Sequence, residues 1–272
     1  MSEVILYQTE MIEIGVFTVS PDEPSFMQQG YVDSPIIVFP KNSIWIQHEG
    51  SSPFVADATL VNFYNQGQSY QRFAINQSGD FCHWFRIEES LLSEVVAKDQ
   101  QHFSRENMTC PVMVFLTHLK VLNHIAVMTQ VNSLWIENQV LNMFDTLLAQ
   151  PYKQDRQFSK KQNRHKHLIE RVKESLHEDL SVNLSLQQLA KRHNTSPYHL
   201  SRVFKTINGE GINQYRKQQR LRHMLLELQI QHNELVDLAF DYGFSSHSHM
   251  SASFKQLFGM TPSECLQTLS NQ

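Results

Sequence analysis

The chain has 272 residues, 41% of them hydrophobic, and its 23 Lys+Arg against 27 Asp+Glu leave a formal net charge of -4. That length accommodates two domains, each with its own apolar core, and the three scattered cysteines, Cys82, Cys110 and Cys265, exclude a disulfide framework or a zinc knuckle. The opening "MSEVILYQTEMIEIG" lacks the basic start of a signal peptide, and no apolar run reaches the ~18 residues of a membrane span, so the expectation is a reduced, cytoplasmic protein without a membrane partner.

The charge is unevenly placed. Residues 1–159 hold 8 Lys+Arg against 17 Asp+Glu, and residues 160–272 hold 15 against 10. A negative first half and a positive second half suggest that only the second meets a polyanion.

From Glu13 to about Ile87 the chain reads as short strands, "IGVFTV", "PIIVFP", "SIWIQ", "TLVNFYN" and "FCHWFRI", separated by turn-formers. In the last of these Phe81, His83, Phe85 and Ile87 share one face by the period of two. Strands at this spacing predict a small sandwich or barrel. A short helix is expected near Glu88 to Ala97. Two longer ones follow, with Val112, Phe115, Leu116 and Leu119 on one stripe and Val140, Leu141, Phe144, Leu147 and Leu148 on the other. Such a pair could close the first core or offer a dimer face. Residues 1–150 thus form one expected domain. The polar stretch "QPYKQDRQFSKKQNR" reads as a linker, placed at residues 151–165.

Residues 166–272 are helix-rich and hide a repeat. Shifted by fifty residues, "SPYHLSRVFKTING" falls on "SHSHMSASFKQLFG", pairing Ser196 with Ser246, Leu200 with Met250, Phe204 with Phe254, Lys205 with Lys255 and Gly209 with Gly259. Upstream, "LAKRHNTS" matches "LAFDYGFSS" with one extra residue in the second copy. Asn194 and Gly243 stand where a first helix must stop, Ser196 and Ser246 are natural N-caps, and Pro197 suits a first helical position. Two helix-turn-helix units are the reading. On the first long helix Leu200, Val203, Phe204 and Ile207 gather on one side, leaving Tyr198, Ser201, Arg202 and Lys205 on the other. That outer face can stack on bases, bond their edges and hold phosphates. The joining helix, Ile212 to Leu228, is expected to bury Leu221, Met224, Leu225 and Leu228 and to show Arg216, Lys217, Arg220 and Arg222 outside or at its flanks. It would act as a rigid spacer between two readers of successive major-groove segments, ~34 Å apart.

The segment "DLAFDYGFSSHSHMSASFKQLFGMTPSECL", preceded by "LAKRHNTSPYHLSRVFK", closely resembles the AraC/XylS family of bacterial transcription regulators. The resemblance implies a seven-helix DNA-binding domain that positions RNA polymerase at promoters, usually as an activator. It places base-reading positions on Tyr198, Ser201 and Arg202 in the first unit and on His247, Ser248, Ser251 and Ala252 in the second. Arg is common in the family where Ala252 stands, so the second unit is expected to read bases less stringently and to lean on phosphate contacts through Lys255, as the first does through Lys205, or on DNA shape. His247 and His249 point ~200° apart on a helix and cannot share a metal.

In many relatives the first domain is a cupin-like barrel that binds a small effector, and "VFPKNSIWIQHEG" and "GDFCHWFRI" look similar to a subgroup of these. Trp45, Phe63, Tyr64, Phe81 and Phe85 can line a pocket or simply form core. A homodimerising role and a ligand-independent adaptor acting through protein contacts stay open beside effector sensing. An enzymatic cupin is disfavoured: His48 and His83 read as isolated, Glu49 adjoins His48 on the opposite strand face, and no nucleophile or phosphate-loop motif occurs. The expected fold class is therefore α+β, a β-rich cupin-like barrel with a helix pair followed by an all-α domain with two helix-turn-helix units, binding double-stranded DNA and needing no cofactor or metal.

Overall fold

The computed structural model describes residues 2–95, 103–128, 130–150, 159–228 and 235–270. Two compact units emerge, Met1–Gln154 with Pro262–Gln272, and Asp155–Thr261. Among the described residues no helix is long and apolar enough to cross a membrane.

The first unit carries β1 (Ser2–Gln8), β2 (Ile12–Val19), β3 (Gly30–Val32), β4 (Ile36–Pro40), β5 (Ile44–His48), β6 (Phe54–Ala56), β7 (Leu60–Tyr64), β8 (Gln68–Ala74), β9 (Asp80–Ile87), α1 (Glu89–Val95), β10 (Asn107–Thr109), α2 (Val112–Val127) and α3 (Ser133–Leu148). The strands form two antiparallel sheets, ordered β1-β2-β9-β4-β7-β10 and β3-β8-β5-β6. The sequence reading found β2, β4, β5, β7 and β9; β1, β3, β6, β8 and β10 are additions, because β1 lies ahead of Glu13, the start of the strand pattern in that reading, and the three-residue strands and the polar "QSYQRFA" of β8 carry too little alternation to stand out. The end of the expected short helix, residues 96 and 97, lies outside the described residues, as does linker segment 151–158.

Strand β9 explains the layering. Its Phe81, His83, Phe85 and Ile87 share one face, and α2 supplies the ring that meets them: His118 Nε2 lies 3.2 Å from His83 Nδ1, 5.7 Å (ring centroids) from Phe85, and stacks on Phe39 of β4 at 4.3 Å. His83 is thus not isolated. The alternate residues Cys82 and Trp84 turn toward the second sheet and pack with Val32, Val38 and Tyr64. The larger sheet is therefore covered on both faces, which is why its central strands read as nearly unbroken apolar runs. Helices α2 and α3 pack together along the stripes read from sequence, with Phe115, Leu116, Leu119, Val140, Phe144 and Leu147 all buried.

Two glycines make room for rings. A Cβ on Gly15 would lie 2.2 Å from Trp84 Cζ2, and one on Gly30 would lie 2.3 Å from Tyr70 Cζ. Each ring fills the space beside the glycine of the paired strand, a position that any side chain there would deny.

The second unit holds α4 (Lys160–His177), α5 (Leu186–Arg192), α6 (Pro197–Asn208), α7 (Ile212–Leu228), α8 (Leu235–Asp241) and α9 (His247–Phe258); α10 (Pro262–Ser270) follows and groups with the first unit. Helix α4 starts inside the stretch read as linker. Ser159 and Gln162 form a reciprocal capping box, and the Lys, Gln and Arg residues behind it are helix formers whose first two turns stay in solvent, so no apolar period announces them. Ile169, Val172, Leu176, Leu189, Leu200, Phe204 and Tyr215 make one core, with His177 Nε2 2.7 Å from the Tyr215 hydroxyl.

Burial sets a pH dependence in the first unit. Desolvation pushes His48 down to about 4 and His83, beside Lys41, down to about 3, and lifts Asp80 to about 6 against the pull of Arg72. The two imidazoles are neutral in the native state, so the stability tied to them is complete above pH 6.5 and is lost as pH falls below it; Asp80, whose carboxyl takes its proton earlier in the folded state, opposes this between about 6 and 4. Two groups outweigh one. Thermal unfolding midpoints followed by tryptophan fluorescence are expected to drop between pH 7 and 4.5, and to drop less in His48→Phe, whose ring keeps its contacts with Phe54 and Tyr64; equal drops would show that His48 is not held neutral.

Candidate nucleic-acid interface

The two repeats are built by the same backbone chemistry. Helix α5 ends with Thr195 N donating to Ala190 O at 2.9 Å and Asn194 N to Lys191 O at 3.3 Å; α8 ends with Phe244 N donating to Ala239 O at 2.9 Å and Gly243 N to Phe240 O at 2.8 Å. This paired pattern needs a left-handed residue at its centre, and Asn194 and Gly243 have φ of 50° and 69°. The extra residue in the second turn is inserted after that motif, so it lengthens the approach to the next helix without altering how the first one stops.

The longer helices then start and stop alike. The Ser196 hydroxyl accepts from His199 N at 3.2 Å and that of Ser246 from His249 N at 3.1 Å. At the other ends Gly209 and Gly259 take φ of 79° and 77°, their amides bonding the Lys205 and Lys255 carbonyls. Leu200, Val203 and Phe204 of α6, and Met250, Ser253 and Phe254 of α9, face inward.

The opposite faces are open. On α6, Tyr198 is 77% exposed; Ser201, Arg202 and Lys205 are exposed too. The Arg202 guanidinium sits 5.9 Å from the Tyr198 ring centroid, a planar cation beside a planar ring. On α9, His247, Ser248, Ala252 and Lys255 are exposed and Ser251 is half-buried. His249 is also exposed, its Nδ1 3.1 Å from the Ser245 hydroxyl and its ring edge-on to Phe244. Among the described residues no group of three or more His, Cys, Asp or Glu could hold a metal.

The connector α7 departs from its helical-wheel reading. Arg220 and Arg222 are buried, at 6% and 1% exposure. Arg216 is half-buried, bonding Leu184 O at 2.8 Å and Asn213 Oδ1 at 3.1 Å. The cause is that α7 packs against α6 and against α9, so its polar flank is interior as well. Arg220 Nε donates to Leu180 O at 2.7 Å, Nη1 to Asn183 Oδ1 at 2.9 Å and Gly243 O at 3.1 Å, and Nη2 to Ser181 O and Val182 O at 3.3 and 3.2 Å. One guanidinium joins the loop that enters α5 to the turn that enters α9. Burial and neighbouring Arg216 lower its pKa to about 10, which leaves it charged at neutral pH. Sequence reasoning missed this cluster, since no spacing rule links Leu180, Asn183, Arg220 and Gly243.

Residues 189–268 match a family model described as a helix-turn-helix domain. Among curated proteins the chain is similar to Regulatory protein SoxS of Salmonella typhimurium, 29% identical over 100 residues, which are 37% of this chain and 94% of SoxS. It is similar to the HTH-type transcriptional activator AarP of Providencia stuartii, 32% identical over 85 residues, 31% of this chain and 63% of AarP. It spans only 27% of the Right origin-binding protein of Escherichia coli, at 33% identity. Among solved structures, ToxT of Vibrio cholerae superposes over 97% of this chain and 100% of its own, at 12% identity and a TM-score of 0.39.

Arg220→Met is expected to destabilise the second unit by on the order of 3 kcal/mol, because the carbonyls it serves lose a charged donor. Gly243→Ala places a Cβ 2.4 Å from Ser181 O and 2.9 Å from Arg220 Nη2 at a φ that disfavours it, and should cost a comparable amount. Urea unfolding monitored by circular dichroism measures both; unchanged midpoints would remove the cluster's structural role.

Proposed function

From the premise that the chain carries, over residues 189–268, the DNA-binding domain of an AraC/XylS family transcription regulator, we propose that it reads two successive major-groove segments of one duplex. The observation carrying this is the duplicated, identically capped pair α6 and α9, each with an apolar side inward and a polar side open to solvent. Tyr198, Ser201 and Arg202 are the readers of α6, with Lys205 anchoring phosphate. His247, Ser248, Ser251 and Ala252 present the corresponding surface of α9, with Lys255 as anchor. A histidine, two small hydroxyls and a methyl give α9 no bidentate donor to guanine, so base discrimination rests mainly on α6. Residues 166–272 are the DNA-binding part and residues 1–150 the part that senses a small effector or pairs with a second copy. Action as an activator is the reading in keeping with the similarity to AarP, a transcriptional activator; positioning of RNA polymerase at the promoter is the means proposed for it.

Arg202→Ala should weaken binding to the preferred operator by roughly 1–3 kcal/mol and relax preference at one base pair. Lys205→Ala or Lys255→Ala should weaken all duplexes alike and reduce the salt slope by about 1. Selection of bound sequences from a random pool, with titrations at several salt concentrations, separates the two classes. A sequence profile unaltered by Arg202→Ala, or altered by a lysine replacement alone, sinks this division of labour.

A further inference from the structure

Helix α4 begins well before the core that it serves. Its inward stripe, Ile169, Val172 and Leu176, shares one apolar cluster with Leu200, Val203 and Phe204 of α6. Followed toward the N-terminus at helical spacing, the same stripe passes through His165 and Lys161. At His165 it still faces α6, for the ring lies edge-on to His199 with centroids 5.4 Å apart. His199 stands in the first turn of α6, next to Tyr198.

Cations are a poor choice for folding at these positions. Residues 160–169 carry Lys160, Lys161, Arg164 and Lys166 with His165 and His167, and no Asp or Glu, whereas a solvated helix face gains from opposite charges three or four residues apart. The first turn holds Lys160 and Lys161 and no acid, the reverse of what the helix dipole favours. The neighbours on α6 are positive as well: burial first, then His199, Lys161 and Arg202, lowers the pKa of His165. Lys161, Arg164 and Arg202 are exposed, and among the described residues no carboxylate pairs with them. A cluster of like charges left this way repels itself in the free protein, and an arriving anion offsets that repulsion.

Continuity with α6 identifies the anion. A recognition helix enters the major groove with its N-terminal residues at the base edges, so groups packed beside the first turn of α6 stand over the sugar-phosphate strand that borders that groove. We propose that Lys161, Arg164 and His165 form a further contact with the duplex, holding phosphates of the strand beside the groove entered by α6. Lys161 and Arg164, three residues apart on one side of α4, supply the charge. His165, held against His199, supplies a ring N–H and joins this contact to the face that carries Tyr198 and Arg202. The contact rests on the duplex-reading proposal above and extends it, since these residues lie ahead of the stretch 189–268 that matches the helix-turn-helix model.

The test uses the full chain and the duplex selected from a random pool, with Lys161→Gln, Arg164→Gln and Lys161→Glu. Each Gln variant is expected to weaken binding roughly tenfold at about 0.1 M salt and to lower the salt slope by about 1, with the selected sequence profile unchanged. Lys161→Glu is expected to weaken binding further while raising the thermal unfolding midpoint of the free protein, because it relieves repulsion and suits the helix dipole; a merely structural residue would move affinity and stability in the same direction. Trimming the duplex at the end next to the base pair read by Arg202 should cost the wild-type chain affinity that the Gln variants have already lost. An unchanged salt slope in either Gln variant, an altered sequence profile, equal losses on trimming, or a Lys161→Glu chain that loses stability and affinity together overturns the inference, while operator binding by the wild-type chain keeps the regulator reading. A wild-type chain that binds no duplex removes both.

Discussion

The guanidinium of Arg220 is the constraint on which the second unit turns. A buried cation is costly unless its hydrogen bonds are met, and here they are met by carbonyls of Leu180, Ser181, Val182 and Gly243 and by the Asn183 side chain. Those acceptors belong to two stretches sixty residues apart in sequence. The loop before α5 and the turn before α9 are thereby tied to the same point on α7. Asp179, whose carboxylate accepts from Ser181 N and Oγ at 2.8 and 2.6 Å, shapes the same loop from its other side.

This arrangement makes the spacing of the two outer faces a property of α7. A helix of 17 residues is a stiff rod at about 1.5 Å per residue, and its burial between both helical pairs removes the freedom that a solvent-exposed connector would keep. Local capping then sets each outer helix individually: Ser196 and Ser246 fix the starts, and Gly209 and Gly259 fix the ends. Tyr198, Arg202 and Lys205 are exposed because Leu200, Val203, Phe204 and, in part, Ile207 supply the inward side of α6.

The first unit solves a different problem. Its larger sheet has a helix-facing side, rich in Phe39, Phe85, His83 and His118 contacts, and a side turned to the second sheet. The sheets do not close against each other completely. Where they part, the lining combines Ile44, Ile46 and Ala56 of an apolar cluster with the Arg72–Asp80 and Arg86–Glu13 ion pairs.

Much of the second unit could be read from residues alone, because its determinants are local. A serine before a helix, an asparagine or glycine at a left-handed position and apolar residues at helical spacing act within a few residues of themselves, and the fifty-residue repeat displays each of them twice. Strand alternation likewise announced β2, β4, β5, β7 and β9 and the face shared by His83 and Phe85. What the tertiary structure alone decided was the fate of polar residues whose partners are distant in sequence: Arg220 and Arg222 lie inside, His83 meets His118, and Arg72, Trp84 and Asn62 line one cavity. A helical wheel assigns arginine to solvent because solvation favours it, and only when two other helices enclose that flank does the balance pass from hydration to hydrogen bonds with carbonyls.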